Sequence, residues 1–325
     1  MIKGFGISNF KSIRDLQIDC KKINILIGEP NAGKTNILEA LSIFGLHHGG
    51  FQISNFVRFR TLTELFYNNK VDTPAKVATD TVSVVLEYNF GHNNFTLRYV
   101  TNQNLSGNVS YQINGSPFNI YAPPLDINCR YYSYKTGIIP NNPQPGPLMS
   151  PFGENLTSIL ITDKEFRSFC NNFFRAKGFE LYLRTAEREF EIYHKAGEDT
   201  FVHSYNSISE TLKRIVFFSA CLETNKDAVL IFDEPEANTF PFYTKYLAER
   251  IALDDTNQYF FTTHNSYLLR SVVEKANKKD LNVLIAYMEN YETKIRTLTE
   301  DELGQILDID IFFNLDLFIN NENRP

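Results

Sequence analysis

Eight consecutive residues, Gly28-Glu29-Pro30-Asn31-Ala32-Gly33-Lys34-Thr35, fit G-x-x-x-x-G-K-[ST] at every fixed position. The chemistry this pattern serves is phosphate binding. Its glycines let the backbone curl until successive N–H groups point at phosphate oxygens. A helix starting at the loop's end adds its positive dipole at the same point. Lys34 then reaches the β- and γ-phosphates of a nucleotide, and the Thr35 hydroxyl is a ligand for Mg²⁺. Far downstream, Asp233 and Glu234 cap the apolar run Ala228–Phe232, with Pro235 behind them. A strand ending there delivers both carboxylates to the C-terminal edge of a parallel sheet, where ligands sit in open α/β folds. Asp233 suits a magnesium shell, and Glu234 suits a general base that polarises an attacking water. His264 ends the next apolar run, Tyr259–Thr263. An imidazole there can hydrogen-bond a γ-phosphate or the attacking water.

These groups act together only if the fold brings them to one place. Ile23–Ile27 is a continuous apolar-rich run ending at Gly28, the pattern of a strand buried on both faces. Asn36–Phe44 has helical periodicity through Ile37, Leu38, Leu41 and Phe44. The loop therefore sits between a strand and a helix, as phosphate binding requires. Before it, Ile2–Asn9 and Leu16–Asp19 read as strands joined by a polar turn over Phe10–Asp15. Thr81–Phe90, Phe95–Thr101, Ser110–Ile113 and Asn119–Tyr121 read as antiparallel strands, with turns at Gly91–Asn94 and Asn114-Gly115. The prolines from Pro140 to Pro151 predict a loop or hinge. Thr162–Lys177 predicts a helix, and Phe179–Tyr193 alternates again. Helices over Ser209 or Thr211 to Leu222, Phe242–Leu253 and Ser266–Ala276 intersperse with strands over Ala228–Phe232, Gln258–Thr263 and Leu281–Met288. A helical tail with an exposed polar end is expected from Glu300. The fold class is α/β, with a mixed, mainly parallel core sheet flanked by helices and an added antiparallel β subdomain.

Composition narrows the function classes. Of 325 residues, 43% are hydrophobic and 22% charged. Those values suit a soluble globular chain and exclude a disordered, collagen-like or long coiled-coil protein. The net charge of -6, from 32 basic and 38 acidic residues, excludes a uniformly basic nucleic-acid binder and leaves only a local patch. Lys11, Arg14, Lys21, Lys22, Arg58, Arg60, Arg175, Lys177, Arg184 and Arg188 are its candidates, and a solvated charged surface is the plainer reading. Cys20, Cys129, Cys170 and Cys221 lie far apart without ligand spacing, as expected of reduced cytoplasmic thiols. No signal leader and no apolar run of ~18–20 residues is present, so no membrane span is expected. Asn277-Lys278-Lys279-Asp280 matches the guanine-binding pattern N-K-x-D, but it follows a helical run and reads as a solvated turn.

The combined elements resemble an ABC-type ATPase head of the SMC/RecF/OLD branch, in particular the small stand-alone OLD-like AAA ATPases of bacterial defence systems. Ile7-Ser8-Asn9-Phe10-Lys11-Ser12-Ile13 is similar to that branch's opening I-x-N-F-[KR]-S-x, and Gly28–Asn36 to its Walker A. Asp233-Glu234-Pro235-Glu236-Ala237-Asn238 resembles Walker B with its D-loop, and Thr262-Thr263-His264-Asn265 the switch histidine. Pro151-Phe152-Gly153-Glu154-Asn155-Leu156 resembles a recurring segment of the small OLD-like proteins. The resemblance implies a P-loop NTPase of ABC type occupying 1–325 as one domain. Its expected parts are a Walker A lobe over 1–160, an insertion over 161–203 and a signature, Walker B and histidine lobe over 204–325.

It assigns ATP to Lys11, Ser12, Gly28, Asn31, Ala32, Gly33, Lys34, Thr35 and Asn36, Mg²⁺ to Thr35 and Asp233, and catalysis to Glu234 and His264. The signature candidate is Ile208–Arg214, where Ser209 would bind the ATP of a second copy in trans and Thr211 stands where glycine is usual. Lys135 or Gln144 is a candidate for the Q-loop. No heptad run between Gly153 and Ser209 suggests coiled-coil arms. Asp308-Ile309-Asp310 reads as surface, because the short tail after it holds no Toprim nuclease. The implied function is an ATP-hydrolysing switch that dimerises head to tail around ATP and controls a separate nuclease or toxin in anti-phage defence. The alternatives are a RecF-like DNA repair ATPase touching DNA through the local basic patch, and a non-hydrolysing ATP-bound scaffold.

Overall fold

A computed structural model describes residues 1–101, 104–122 and 125–319; the end of the tail expected to be exposed, 320–325, lies outside them. The chain opens with the hairpin β1 (Gly4–Phe10) and β2 (Ile13–Asp19), followed by β3 (Ile23–Gly28) and α1 (Lys34–Ser42). Short turns lead to β4 (Ala75–Thr79), β5 (Val82–Asn89), β6 (Asn94–Thr101), β7 (Asn104–Tyr111) and β8 (Pro117–Tyr121). β9 (Cys129–Tyr132) precedes the proline-rich loop, which carries neither strand nor helix. Next come α2 (Leu156–Thr162), α3 (Lys164–Arg175) and the strands β10 (Glu180–Arg184), β11 (Glu189–Ala196) and β12 (Asp199–His203). The last segment runs α4 (Glu210–Thr224), β13 (Val229–Asp233), α5 (Pro241–Leu253), β14 (Gln258–Thr262), α6 (Ser266–Lys275), β15 (Leu281–Glu289), β16 (Glu292–Thr297), α7 (Glu300–Gln305) and α8 (Leu315–Ile319).

The central sheet has the order β16-β15-β3-β14-β13-β9 and is parallel except at the β15–β16 hairpin. It draws β3 and β9 from the first half of the chain and its other strands from the last segment, so both halves share one sheet. Period-two alternation divides its side chains between two cores. Ile25, Ile27, Leu230, Phe232, Tyr259 and Phe261 face one core, built with α4, α5 and α6. Leu26, Val229, Ile231, Phe260 and Leu284 face the other, shared with α1 and a seven-stranded antiparallel sheet of order β2-β1-β4-β5-β6-β7-β8. Every residue of β3 is buried, which is why it reads as an unbroken apolar run. β10, β11 and β12 form a separate antiparallel sheet. The architecture is the mixed α/β P-loop type that the sequence implies.

Two local expectations are corrected. The turn expected over Phe10–Asp15 is only Lys11-Ser12, and Phe10 already pairs with Ile13. Asn9 and Lys11 take positive φ of 52° and 49°. The Asn9 side chain donates to the carbonyls of Lys70 and Thr73, which holds that conformation. The helix expected over Thr162–Lys177, with Asp163 near its start, is α3 (Lys164–Arg175); Thr162 instead closes the separate helix α2, and helical structure breaks at Asp163. Its backbone is extended, and its carboxylate caps α3 by accepting from Phe166 N–H at 2.9 Å.

Candidate nucleotide site

β3 buries itself in the sheet and releases the chain at Gly28, whose φ is 143°. A Cβ there would collide with the carbonyl oxygen of Ala286 on the neighbouring β15. Gly33, the N-cap of α1, has φ 92°, and a Cβ would collide with the Thr293 side chain of β16. Gly28 is thus required by close backbone approach, Gly33 by the packed Thr293 side chain, and both by conformation. Between them Glu29, Pro30 and Asn31 are exposed and Ala32 is buried. Asn31 takes φ 61°. The Lys34 ammonium folds back over the loop and donates to the carbonyls of Gly28 and Glu29 at 2.9 and 2.7 Å. Burial holds its pKa below the usual lysine value against the opposing pull of Glu234, Asp233 and Glu29.

The acidic strand end lies beside this loop because β14 alone separates β13 from β3. The Thr35 hydroxyl donates to Asp233 Oδ1 at 3.3 Å. Thr262, at the end of β14, donates to the same oxygen at 2.5 Å and accepts from Glu234 N–H at 3.0 Å. Glu234 adopts φ 46°, a left-handed conformation that turns the chain sharply after the strand and costs about 1–3 kcal/mol. Its carboxylate Oε1 lies 3.4 Å from His264 Nε2, both side chains being partly exposed. Burial and Lys34 lower the His264 pKa, with Glu234 and Asp233 acting against them. The imidazole is therefore neutral at neutral pH. One sheet edge collects the loop lysine, a hydroxyl–carboxylate pair and a carboxylate–imidazole pair.

The other expected residues are distributed around that edge. Ser12 Oγ lies 2.7 Å from Thr293 Oγ1 and accepts from the Asn36 side chain at 2.7 Å, so Ser12 and Asn36 buttress the loop through β16. Lys11 turns instead to the buried Glu39 of α1 and to the Arg58 carbonyl, and Arg58 Nε binds the other Glu39 oxygen at 2.8 Å. Ser209 is exposed at the N-cap of α4, where its hydroxyl accepts from Leu212 N–H at 3.3 Å. Thr211 donates to the carbonyl of Asn238 at 3.0 Å, which fastens the signature segment to the turn after β13. Lys135 and Gln144 are exposed, with Lys135 over the Phe152 ring. Asn277–Asp280 is an exposed turn, and Asp310 caps a turn by accepting from Phe312 N–H.

Most of the candidate basic patch is neutralised. Arg14 pairs with Glu292, Lys22 with Asp255, Arg60 with Glu64, Arg175 with Glu180 and Arg184 with Glu191. Among the described residues, no helix is long and apolar enough to cross a membrane.

Three supporting residues were not legible as such: Thr262 as the brace of the Asp233 carboxylate and the Glu234 N–H, Thr293 as the wall of the loop, and Glu39 as the anchor of Lys11. Thr262 could have been found from its place at a strand end beside the acidic strand. The other two carry no local signal.

A family model described as an AAA domain, putative AbiEii toxin, type IV TA system, matches residues 23–270. An uncharacterized protein of Methanocaldococcus jannaschii is 32% identical over 91 residues, 24% of this chain and 41% of that protein, so the match spans less than half of its length. Among solved structures, the Smc head bound to the C-winged helix domain of ScpA shares the fold at 17% identity. That match covers 93% of this chain and 99% of that one, with a TM-score of 0.55. A Smc head with an extended coiled coil, bound to the C-terminal domain of ScpA and derived from Pyrococcus furiosus, is 14% identical. There the coverage is 94% and 98%, with a TM-score of 0.50. The chain belongs to the AAA-domain family described as putative AbiEii toxin, type IV TA system, and shares the fold of Smc heads.

Proposed function

We propose that this protein binds ATP on the Gly28–Thr35 loop, hydrolyses it to ADP and phosphate with Glu234 as general base, and uses the nucleotide state to switch a separate effector. The observation that carries the reading is the convergence at one sheet edge of Lys34, the Thr35–Asp233 pair and the Glu234–His264 pair. The loop N–H groups and Lys34 bind and orient the phosphates. Thr35 and Asp233 are hard oxygen donors of the kind Mg²⁺ takes beside phosphate and water oxygens. That ion, when bound, supplies charge neutralisation at the β- and γ-phosphates. Glu234 accepts the proton of the attacking water, and neutral His264 holds that water or the γ-phosphate by a hydrogen bond.

Ser209 faces outward and completes the site of a second copy in this reading. The reciprocity of two such contacts makes the assembly a two-fold dimer. The toxin–antitoxin wording of the family description, and the ScpA partner on the Smc heads, support a protein partner such as a nuclease or toxin. A bacterial anti-phage role and a kinship with small OLD-like ATPases extend the same reading by analogy. The paired basic residues weigh against a RecF-like DNA clamp, which needs free cationic surface for phosphates. A non-hydrolysing ATP-bound scaffold is favoured by one observation, the side chain of Thr211 in a signature position that usually holds glycine.

The test is Glu234→Gln, which keeps shape and removes the base. Phosphate release is expected to fall by about 10²–10⁴-fold while ATP remains bound. Unchanged release removes Glu234 from catalysis. Tight ATP binding without release by the native chain, at any protein concentration, selects the scaffold reading.

A further inference from the structure

We propose that Glu236 is a positioning residue that keeps the general base and the histidine in register by tying the turn after β13 to the turn after β14. It rests on the hydrolytic reading only for its effect on turnover.

Glu236 is a charged residue type in a place where charge is costly: it is 6% exposed. Its Oε1 accepts from the Thr263 hydroxyl at 2.5 Å, and that hydroxyl in turn accepts from Asn265 N–H at 3.0 Å. Asn265 caps α6 through Tyr267 and Leu268 N–H. The residues on both sides of His264 are thereby fixed to one carboxyl group. On its own turn, the Glu236 carbonyl accepts from the Thr239 N–H and hydroxyl at 3.0 and 2.7 Å, and Ala237 N–H donates to the Glu234 carbonyl. Glu236 is therefore the cross-link between the segment that aims Glu234 and the segment that aims His264. An aliphatic side chain would fill the space without making this link.

Its second oxygen, Oε2, is buried without a hydrogen-bond partner among the described residues. Burial pushes the carboxyl pKa up to about 7, and the Glu234 charge on the same turn adds to the rise. The Thr263 hydroxyl and the backbone N–H groups of Glu236 and of His264, in the turn after β14, oppose it. The folded protein thus binds a proton that the unfolded chain has lost above the ordinary glutamate pKa. Stability from this site is fully present below that ordinary value, declines as pH rises toward about 7, and is lost beyond it. The neutral acid is the form that fits the link.

The experiment compares the full chain with Glu236→Gln, Glu236→Ala and Thr263→Val. Without nucleotide, the melting temperature of the native chain should fall relative to that of Glu236→Gln between about pH 5 and about pH 8. A difference that does not change with pH overturns the buried neutral acid. The His264 imidazole resonances should match the native ones in Glu236→Gln and shift in Glu236→Ala and Thr263→Val. Unshifted resonances in both disruptive variants overturn the link. With ATP, Glu236→Ala should lower turnover about 10- to 100-fold with little change in KM, and Glu236→Gln should restore it and escape the decline above about pH 7. Equal turnover in Glu236→Ala and the native chain also overturns the link. If the native chain releases no phosphate, the hydrolytic reading fails, and the melting and resonance measurements decide the role of Glu236 alone.

Discussion

At the C-terminal edge of the central sheet, Thr35, Asp233, Thr262 and Glu234 are already joined by hydrogen bonds of 2.5–3.3 Å. At the start of α4, the Ser209 hydroxyl accepts from the N–H of Leu212, within its own helix, and from no other group among the described residues. Both regions belong to the proposed ATP chemistry, but they differ in how much one chain supplies. The sheet edge takes its geometry from parallel pairing of β3, β14 and β13, so it exists in a single folded copy. The Ser209 region presents an exposed hydroxyl on a helix start, fastened to the neighbouring turn by Thr211. The proposed function therefore makes nucleotide binding a property of the single chain and full turnover a property of chain concentration.

The contrast can be broken most severely at the loop. Lys34→Ala removes the charged donor that reaches the phosphates, and ATP affinity measured by calorimetry should weaken by about 2–3 kcal/mol, about 30- to 150-fold. A loss this large on the sheet-edge side alone confirms where binding resides. Gly33→Ala attacks the same edge through geometry, since its Cβ meets Thr293 in a backbone conformation of φ 92°. It should destabilise the protein by about 1–3 kcal/mol in denaturant titration and weaken ATP binding with it. Ser209→Ala gives the smallest effect on the isolated chain. Loss of the cap costs about 1 kcal/mol of stability, and ATP affinity at low protein concentration should be unchanged. A large affinity loss in that variant would mean that Ser209 serves its own chain's nucleotide, and the contrast would collapse.

The sheet edge was legible because its signals are local. The fixed spacing of Gly28, Gly33, Lys34 and Thr35, and the apolar run ending in Asp233-Glu234, each lie within one strand and its turn. What joins them was not legible. Thr293 sits on β16, a short polar strand (Glu292–Thr297) with no strong alternation, yet it walls Gly33 and binds Ser12. Glu39 lies on α1 and reads as an ordinary helical glutamate, although it is 1% exposed and carries both Lys11 and Arg58. Pairings of this kind depend on tertiary packing between elements distant in sequence, for which a single chain carries no periodicity. The break at Asp163 was half legible. The capping residue was evident, but α2 before it was not, because Leu156–Thr162 continues the apolar helical pattern with no Gly or Pro to mark its end.

Phosphate release measured as a function of chain concentration with ATP and Mg²⁺ is the most direct test. Turnover per chain should rise with concentration until dimers saturate, and Ser209→Ala should flatten the rise without lowering ATP affinity. Turnover per chain that is constant with concentration and indifferent to Ser209→Ala would contradict a head-to-tail ATP-bound dimer.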